Sequence, residues 1–253
     1  MSQDIRKYFE VSSTPKCAPM FKKCVFVGEE PNTKTTKTFS ELIQNQPKPQ
    51  QQQSHEVSKA KYEPDLDSIT YEAFTDGSTL GNGGRNAIGG IGVYFPDQLN
   101  LKNVALNYAK FVIENPLLEL NGATNNITEL LAISIAIQIL TSKFGKDHPE
   151  KHISKLRIIL YSDSEYSINC ITKWAPSWER NGWKKKGGKK ADREIKNLEL
   201  IKKLYKTYTT QRIKFVHINS HLKEPSNRNS VEWRLWHGND MADKLAKQGA
   251  NDR

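Results

Sequence analysis

The stretch "SITYEAFTDGSTLGNGG" (residues 68–84) decides how the chain is to be read. From Ser68 to Ser78 it has the composition and bounds of a β-strand, and it runs into a loop of glycines. Near the end of that strand stands Asp76, a charge where packing alone favours an apolar side chain. Two further strands follow, "GGIGVYF" (89–95) and "LKNVALNYAKFVI" (101–113), separated by Gly- and Pro-containing turns. Short strands joined by such turns predict an antiparallel meander.

Beyond the meander, "NNITELLAISIAIQIL" (125–140) reads as a helix with Thr124 or Asn126 as its N-cap. "KLRIILYSDSEY" (155–166) is a buried strand ending in a second acidic turn. "EYSINCITKWA" (165–175) and "NLELIKKLYKTY" (197–208) are helices, and "RIKFVHINSH" (212–221) is a fifth strand. "NDMADKLAKQGA" (239–250) closes the chain as an amphipathic helix, after a long loop over 222–238. The order βββαβααβα predicts an α/β fold: a five-stranded mixed sheet with helices on both faces.

Residues 1–68 differ in character. They show little apolar periodicity, many Ser, Thr, Lys and Pro, and the tract "QNQPKPQQQQS" (44–54), the composition of a disordered tail. The chain of 253 residues carries 38 Lys+Arg against 28 Asp+Glu, a net charge of +10. That balance suits a polyanionic partner, although a merely soluble basic protein has the same composition. Three scattered cysteines form neither a disulfide framework nor a zinc site, so a reducing intracellular setting is expected, in nucleus or cytoplasm. By this reading no apolar run approaches the ~18 residues of a membrane span, and no membrane association is predicted.

Four acids stand at the ends of elements that otherwise read as buried: Asp76, Glu129 early in its helix, Asp163 after "RIILYS", and Asp243 in the first turn of the last predicted helix. A charge there is costly unless paired or metal-bound. Brought together, four carboxylates repel one another and demand a cation. All-oxygen ligation selects Mg²⁺ or, as a substitute, Mn²⁺. Two such ions ~3.5–4 Å apart are the arrangement of phosphodiester hydrolysis. Taken singly, each acid also has an ordinary role: a turn former at a strand end, or a partner of a helix dipole.

"FTDGS", "TNNITELLA", "LYSDSEY" and "HGNDMADKLA", in this order, resemble the four signature blocks of type 1 ribonuclease H. The resemblance covers about Tyr71 to Ala250 and implies the ribonuclease H-like fold. It also implies endonucleolytic hydrolysis of the RNA strand of RNA–DNA hybrids, with two Mg²⁺ ions on Asp76, Glu129, Asp163 and Asp243. Residues 69–253 would then be the catalytic domain. Asp240 stands where the family usually has glutamate, and Ile127 where it usually has a polar or charged residue. The family's mobile histidine matches His221 in "INSH"; His237, beside "GND", competes for that role. Trp233 and Trp236 are expected to anchor the long loop to the body.

Substrate contacts implied by the resemblance fall on Gly77, Ser78 and Asn82, and on Asn125 and Asn126 ahead of Glu129. Thr124 and Asn197 match the residues that hold a phosphate of the DNA strand. "TKWAPSWERNGWKKKGGKK" (172–190) interleaves Trp174, Trp178 and Trp183 with Lys184, Lys185 and Lys186, as a nucleic-acid-tracking surface does; the alternative is core tryptophans beside a solvated loop. In the tail, Ile5, Tyr8 and Phe9 of "MSQDIRKYFEV" are spaced like the core of a sliding-clamp-binding peptide, with Gln3 one position too close to the plug. Two rival readings keep the fold but not the activity: a non-catalytic hybrid-binding protein, and an integrase-type polynucleotidyl transferase. The intact acidic set opposes the first. The second expects a glutamate on a late helix, where this chain has "MADKLA". A monomer is expected.

Overall fold

Alternation along the first strand sorts its residues between two cores. The computed structural model describes residues 67–82, 84–96, 99–115, 120, 122–187, 194–220 and 222–252. In β1 (Ile69–Leu80), Tyr71 and Ala73 join a large core built with helix α2 (Asn125–Asp147), while Phe74 points into a smaller one with Tyr161, Ile218 and Ala242. β1 pairs antiparallel with β2 (Ile88–Tyr94), which pairs antiparallel with β3 (Val104–Asn107). On its other side β1 pairs in parallel with β4 (Leu156–Ser162), and β4 in parallel with β5 (Arg212–His217). The five-stranded sheet therefore has the order β3-β2-β1-β4-β5, mixed as expected.

The third strand is shorter than its composition suggests. Asn107 accepts from the backbone N–H groups of Ala109 and Lys110, capping a helix α1 (Tyr108–Glu114) where the sequence reads as continuing strand. α2 is long and apolar enough, by length and composition, to cross a membrane, contrary to expectation. Its most apolar window is 78% buried, as befits the helix that seals one face of the sheet. α3 (Glu165–Asn169) and α4 (Ala175–Arg180) form one helix interrupted by a π-helical turn (Cys170–Trp174). Pro176 has no N–H to offer the carbonyl one turn back, and Ala175 N–H reaches Cys170 O instead. α5 (Leu198–Thr210) precedes β5.

The last helix, α6 (Val231–Asn251), starts eight residues earlier than the pattern suggests, so the second half of the expected 222–238 loop is helical. Ser230 accepts from Trp233 N–H and caps it. α6 lies against β2 backbone to backbone: a Cβ on Gly92 would meet the Ala242 carbonyl oxygen at 2.2 Å. No other residue type fits there, and the contact fixes the depth at which α6, and Asp243 on it, rests on the sheet.

Candidate active site

The parallel neighbours β1 and β4 bring an acid to the same end of their ladder. Thr75 of β1 stands opposite Ser162 of β4, so Asp76 and Asp163, one residue further along each chain, emerge together. Glu129 arrives from α2, which packs so closely on β1 that a Cβ on Gly77 would lie 2.4 Å from Glu129 N. Carboxylate oxygens of Asp76, Glu129 and Asp163 all lie within 4.8 Å of one another. Asp76 and Glu129 are buried, with 6% and 8% of their surfaces exposed.

Gly77 N–H donates to Asp76 Oδ1 at 2.8 Å, whereas Glu129 Oε2 is buried with no hydrogen-bond partner. A buried orphan oxygen among like charges is what a bound cation would satisfy. Burial, followed by the charges of Asp163 and Asp243, pushes the Asp76 carboxyl up to about 8. Burial and then the charges of Asp76 and Asp163 raise Glu129 well above the usual carboxylate range. This donor set, all oxygen and short of positive charge, fits a hard divalent ion.

Asp243 stands outside the 4.8 Å triad, close enough for its charge to raise Asp76. It lies well along α6, not in its first turn, and pairs with Lys247 at 2.6 Å. With Asp163, Asn219, Trp236 and Asn239 it lines a pocket of about 90 Å³. Asp240, on the same wall, pairs with Lys244 at 2.9 Å. Asp163 of the triad and Asp243 thus border one cleft.

The other expected positions divide. Asn82 Oδ1 accepts from Asn125 N–H at 3.3 Å, which joins the first loop to the start of α2 beside Ser78 and Asn126. Thr124 caps α2, accepting from Ile127 N–H at 3.4 Å, and Ile127 is buried core, which accounts for its apolar identity. Asn197 heads α5 in the left-handed region (φ 57°) without capping it, so its side chain is left for another partner. Trp174 is exposed and Lys184, Lys185 and Lys186 face solvent. Trp178 and Trp183 instead pack on the main core; Trp183 meets Tyr205 edge-on at 6.1 Å and lies under Lys202. That arrangement makes Trp183 an anchor of the basic segment, not a stacking platform.

His237 stacks on Trp233 at 4.5 Å and 9° and meets Tyr94 edge-on, a packing role that removes it as the competing mobile histidine. His221 lies outside the described residues, as do Ile5, Tyr8 and Phe9. Trp236 Nε1–H donates to Leu222 O and Trp233 Nε1–H to Glu224 Oε1, so both tryptophans do hold the loop, from α6 itself. Sequence reasoning missed His217, whose Nε2 lies 3.2 Å from the Asp163 carbonyl oxygen. Its signal was its place at the end of β5, one strand over from the acidic turn.

Sequence comparison covers the residues that build this site. The model of the RNase H family matches residues 69–251. A ribonuclease H of Actinobacillus succinogenes is 30% identical over 187 residues, covering 72% of this chain and 90% of that protein. A protein described as a probable ribonuclease H of Acanthamoeba polyphaga mimivirus is 31% identical over 173 residues, and the match spans 68% of this chain but 65% of the viral protein. Among solved structures, LC9-RNase H1, a type 1 RNase H with the type 2 active-site motif, aligns over 74% of both chains at 21% identity and a TM-score of 0.48. The family match takes in all four acids, the three that cluster and the one facing them, and the chain belongs to the RNase H family.

Proposed function

We propose that this protein hydrolyses the RNA strand of RNA–DNA hybrids endonucleolytically, leaving 5′-phosphate and 3′-hydroxyl ends, in DNA replication or repair. The observation that carries this reading is the triad Asp76–Glu129–Asp163, its first two members buried, with the orphan Glu129 oxygen, inside the stretch that matches the family. Two Mg²⁺ ions, or Mn²⁺ in their place, would supply an activated water and stabilise the departing 3′ oxygen, with Asp76, Glu129, Asp163 and Asp243 as ligands. The rest is done by the chain. Gly77, Ser78, Asn82, Asn125 and Asn126 read the ribose 2′-OH, the group that separates RNA from DNA. Thr124 and Asn197 hold a DNA-strand phosphate, Trp174 stacks on the substrate, and Lys184–Lys186 follow its backbone. His221 moves a proton at the departing product. Residues 69–253 form this catalytic domain, acting as an intracellular monomer, and Ile5, Tyr8 and Phe9 of the preceding tail plug into a sliding clamp.

The deciding assay offers a uniformly labelled hybrid, duplex DNA and duplex RNA to the full chain with Mg²⁺. Cleavage confined to the RNA of the hybrid is expected; an intact hybrid, or equal cutting of duplex DNA, rejects the proposal. For the tail, undiminished clamp capture by a Tyr8→Ala, Phe9→Ala double variant would remove the clamp from the scheme.

A further inference from the structure

We infer that His217 is a positioning residue for Asp163, holding the acidic turn after β4 through its main chain. The inference rests on the hydrolytic reading above. β5 is the edge strand beside β4 and carries none of the four acids, yet its last residue reaches the turn that carries one. His217 Nε2 lies 3.2 Å from the Asp163 carbonyl oxygen. A carbonyl oxygen can only accept, so Nε2 carries the proton. The neutral Nε2–H tautomer and the imidazolium both satisfy that requirement.

The β4–β5 ladder ends at the pair Ser162–His217, one residue short of Asp163. His217 therefore adds with its side chain a cross-strand bond to the residue just beyond the last ladder pair. The neighbouring bonds clamp the same turn: Ile218 N–H to Ser162 O at 3.0 Å, Glu165 N–H to Asp163 O at 3.1 Å, and Ser164 N–H to Ser162 Oγ at 3.1 Å. Such a clamp has work to do, because the Asp163 carboxylate is held within 4.8 Å of two others that repel it. A turn free to open would relieve the repulsion by carrying Asp163 outward and spreading the ligand set. His217 is exposed, so burial of its ring adds little to stability and its hydrogen bond is the part that matters.

The test uses His217→Phe, which keeps a ring and loses the donor, and His217→Gln, which restores an N–H at similar reach. In His217→Phe, kcat on a short labelled hybrid should fall about tenfold and the Mg²⁺ concentration for half-maximal rate should rise several-fold, the scale of lost outer-shell contacts. KM for the hybrid and the Tm in EDTA should stay as in the unmodified chain. His217→Gln should recover kcat to within about twofold. Calorimetric titration with Mg²⁺ alone should show weaker binding to His217→Phe, and this arm reads the ligand set whether or not the hybrid is cleaved. A His217→Phe protein with unchanged Mg²⁺ affinity and kcat overturns the inference, as does a His217→Gln protein impaired as deeply as His217→Phe. Failure of the unmodified chain to cut the hybrid would instead count against the proposed activity.

Discussion

Gly77 and Glu129 meet backbone to backbone: a methyl group on Gly77 would lie 2.4 Å from the Glu129 nitrogen and 2.5 Å from the Thr128 hydroxyl. The strand that carries Asp76 and the helix that carries Glu129 are thus in contact where the two acids converge. Gly77→Ala must push β1 and α2 apart. We expect a loss of about 1–3 kcal/mol in urea denaturation, typical of overpacking, together with a fall in hybrid cleavage larger than the change in Tm would explain. An alanine variant with unmodified stability and rate would contradict this contact.

Metal-free stability should depend on pH in a direction set by the raised carboxyls. Asp76 titrates near 8 in the folded protein, against an ordinary value of 3.8 when unfolded. Between those values the folded state binds more protons, so its stability is full below about pH 4 and declines as pH rises through about 8. Glu129 acts in the same sense. In EDTA, the contribution of this site should therefore make Tm lower at pH 8 than at pH 5. Asp76→Asn should flatten that slope, and Mg²⁺ should raise Tm more at pH 8 than at pH 5. A slope unaltered by Asp76→Asn would mean that the acids are not strained together.

Asp163→Asn keeps the shape of the turn and removes a charge. Cleavage of the hybrid should fall below detection while hybrid affinity, measured by filter binding in EDTA, stays within about threefold, since phosphate contacts carry most of the affinity. Near-normal cleavage would refute the triad as the hydrolytic centre.

Trp174 and Trp183 should separate binding from folding. Trp174 is 37% exposed, with its ring against Tyr166 and Trp178, so Trp174→Ala should weaken hybrid binding by about 1–3 kcal/mol, the worth of a stacking contact, and lower Tm less than Trp183→Ala does. Trp183 packs on Tyr205 and the core. Trp183→Ala should cost about 3 kcal/mol of stability, as for a large aromatic removed from packing. The reverse pattern would exchange their roles.

The four acids and the five strands were legible because they are marked by apolar runs and the breaks in them, and such breaks survive in one dimension. Two element boundaries were not. "NYAKFVI" has strand-like residues, but Asn107 takes two backbone N–H groups and turns the chain into a helix. "SVEWRLW" looked like loop because its tryptophans are not in the main core; they bond Leu222 and Glu224 instead. The tie between His217 and Asp163 spans 54 residues and joins a side chain to a carbonyl, which has no pattern of its own in the chain. Likewise, that Trp178 and Trp183 are inside while Trp174 is out depends on tertiary contacts with α5 and on the π turn ahead of Pro176.

β1 runs from Ile69 to the acids, and its start is pinned where Asp67 pairs with Lys151 at 2.6 Å. Seven residue steps separate Ile69 from Asp76, about 23 Å at the usual rise along a strand. The described part of the chain therefore enters β1 about 23 Å from Asp76, at the start of the strand and away from the acids.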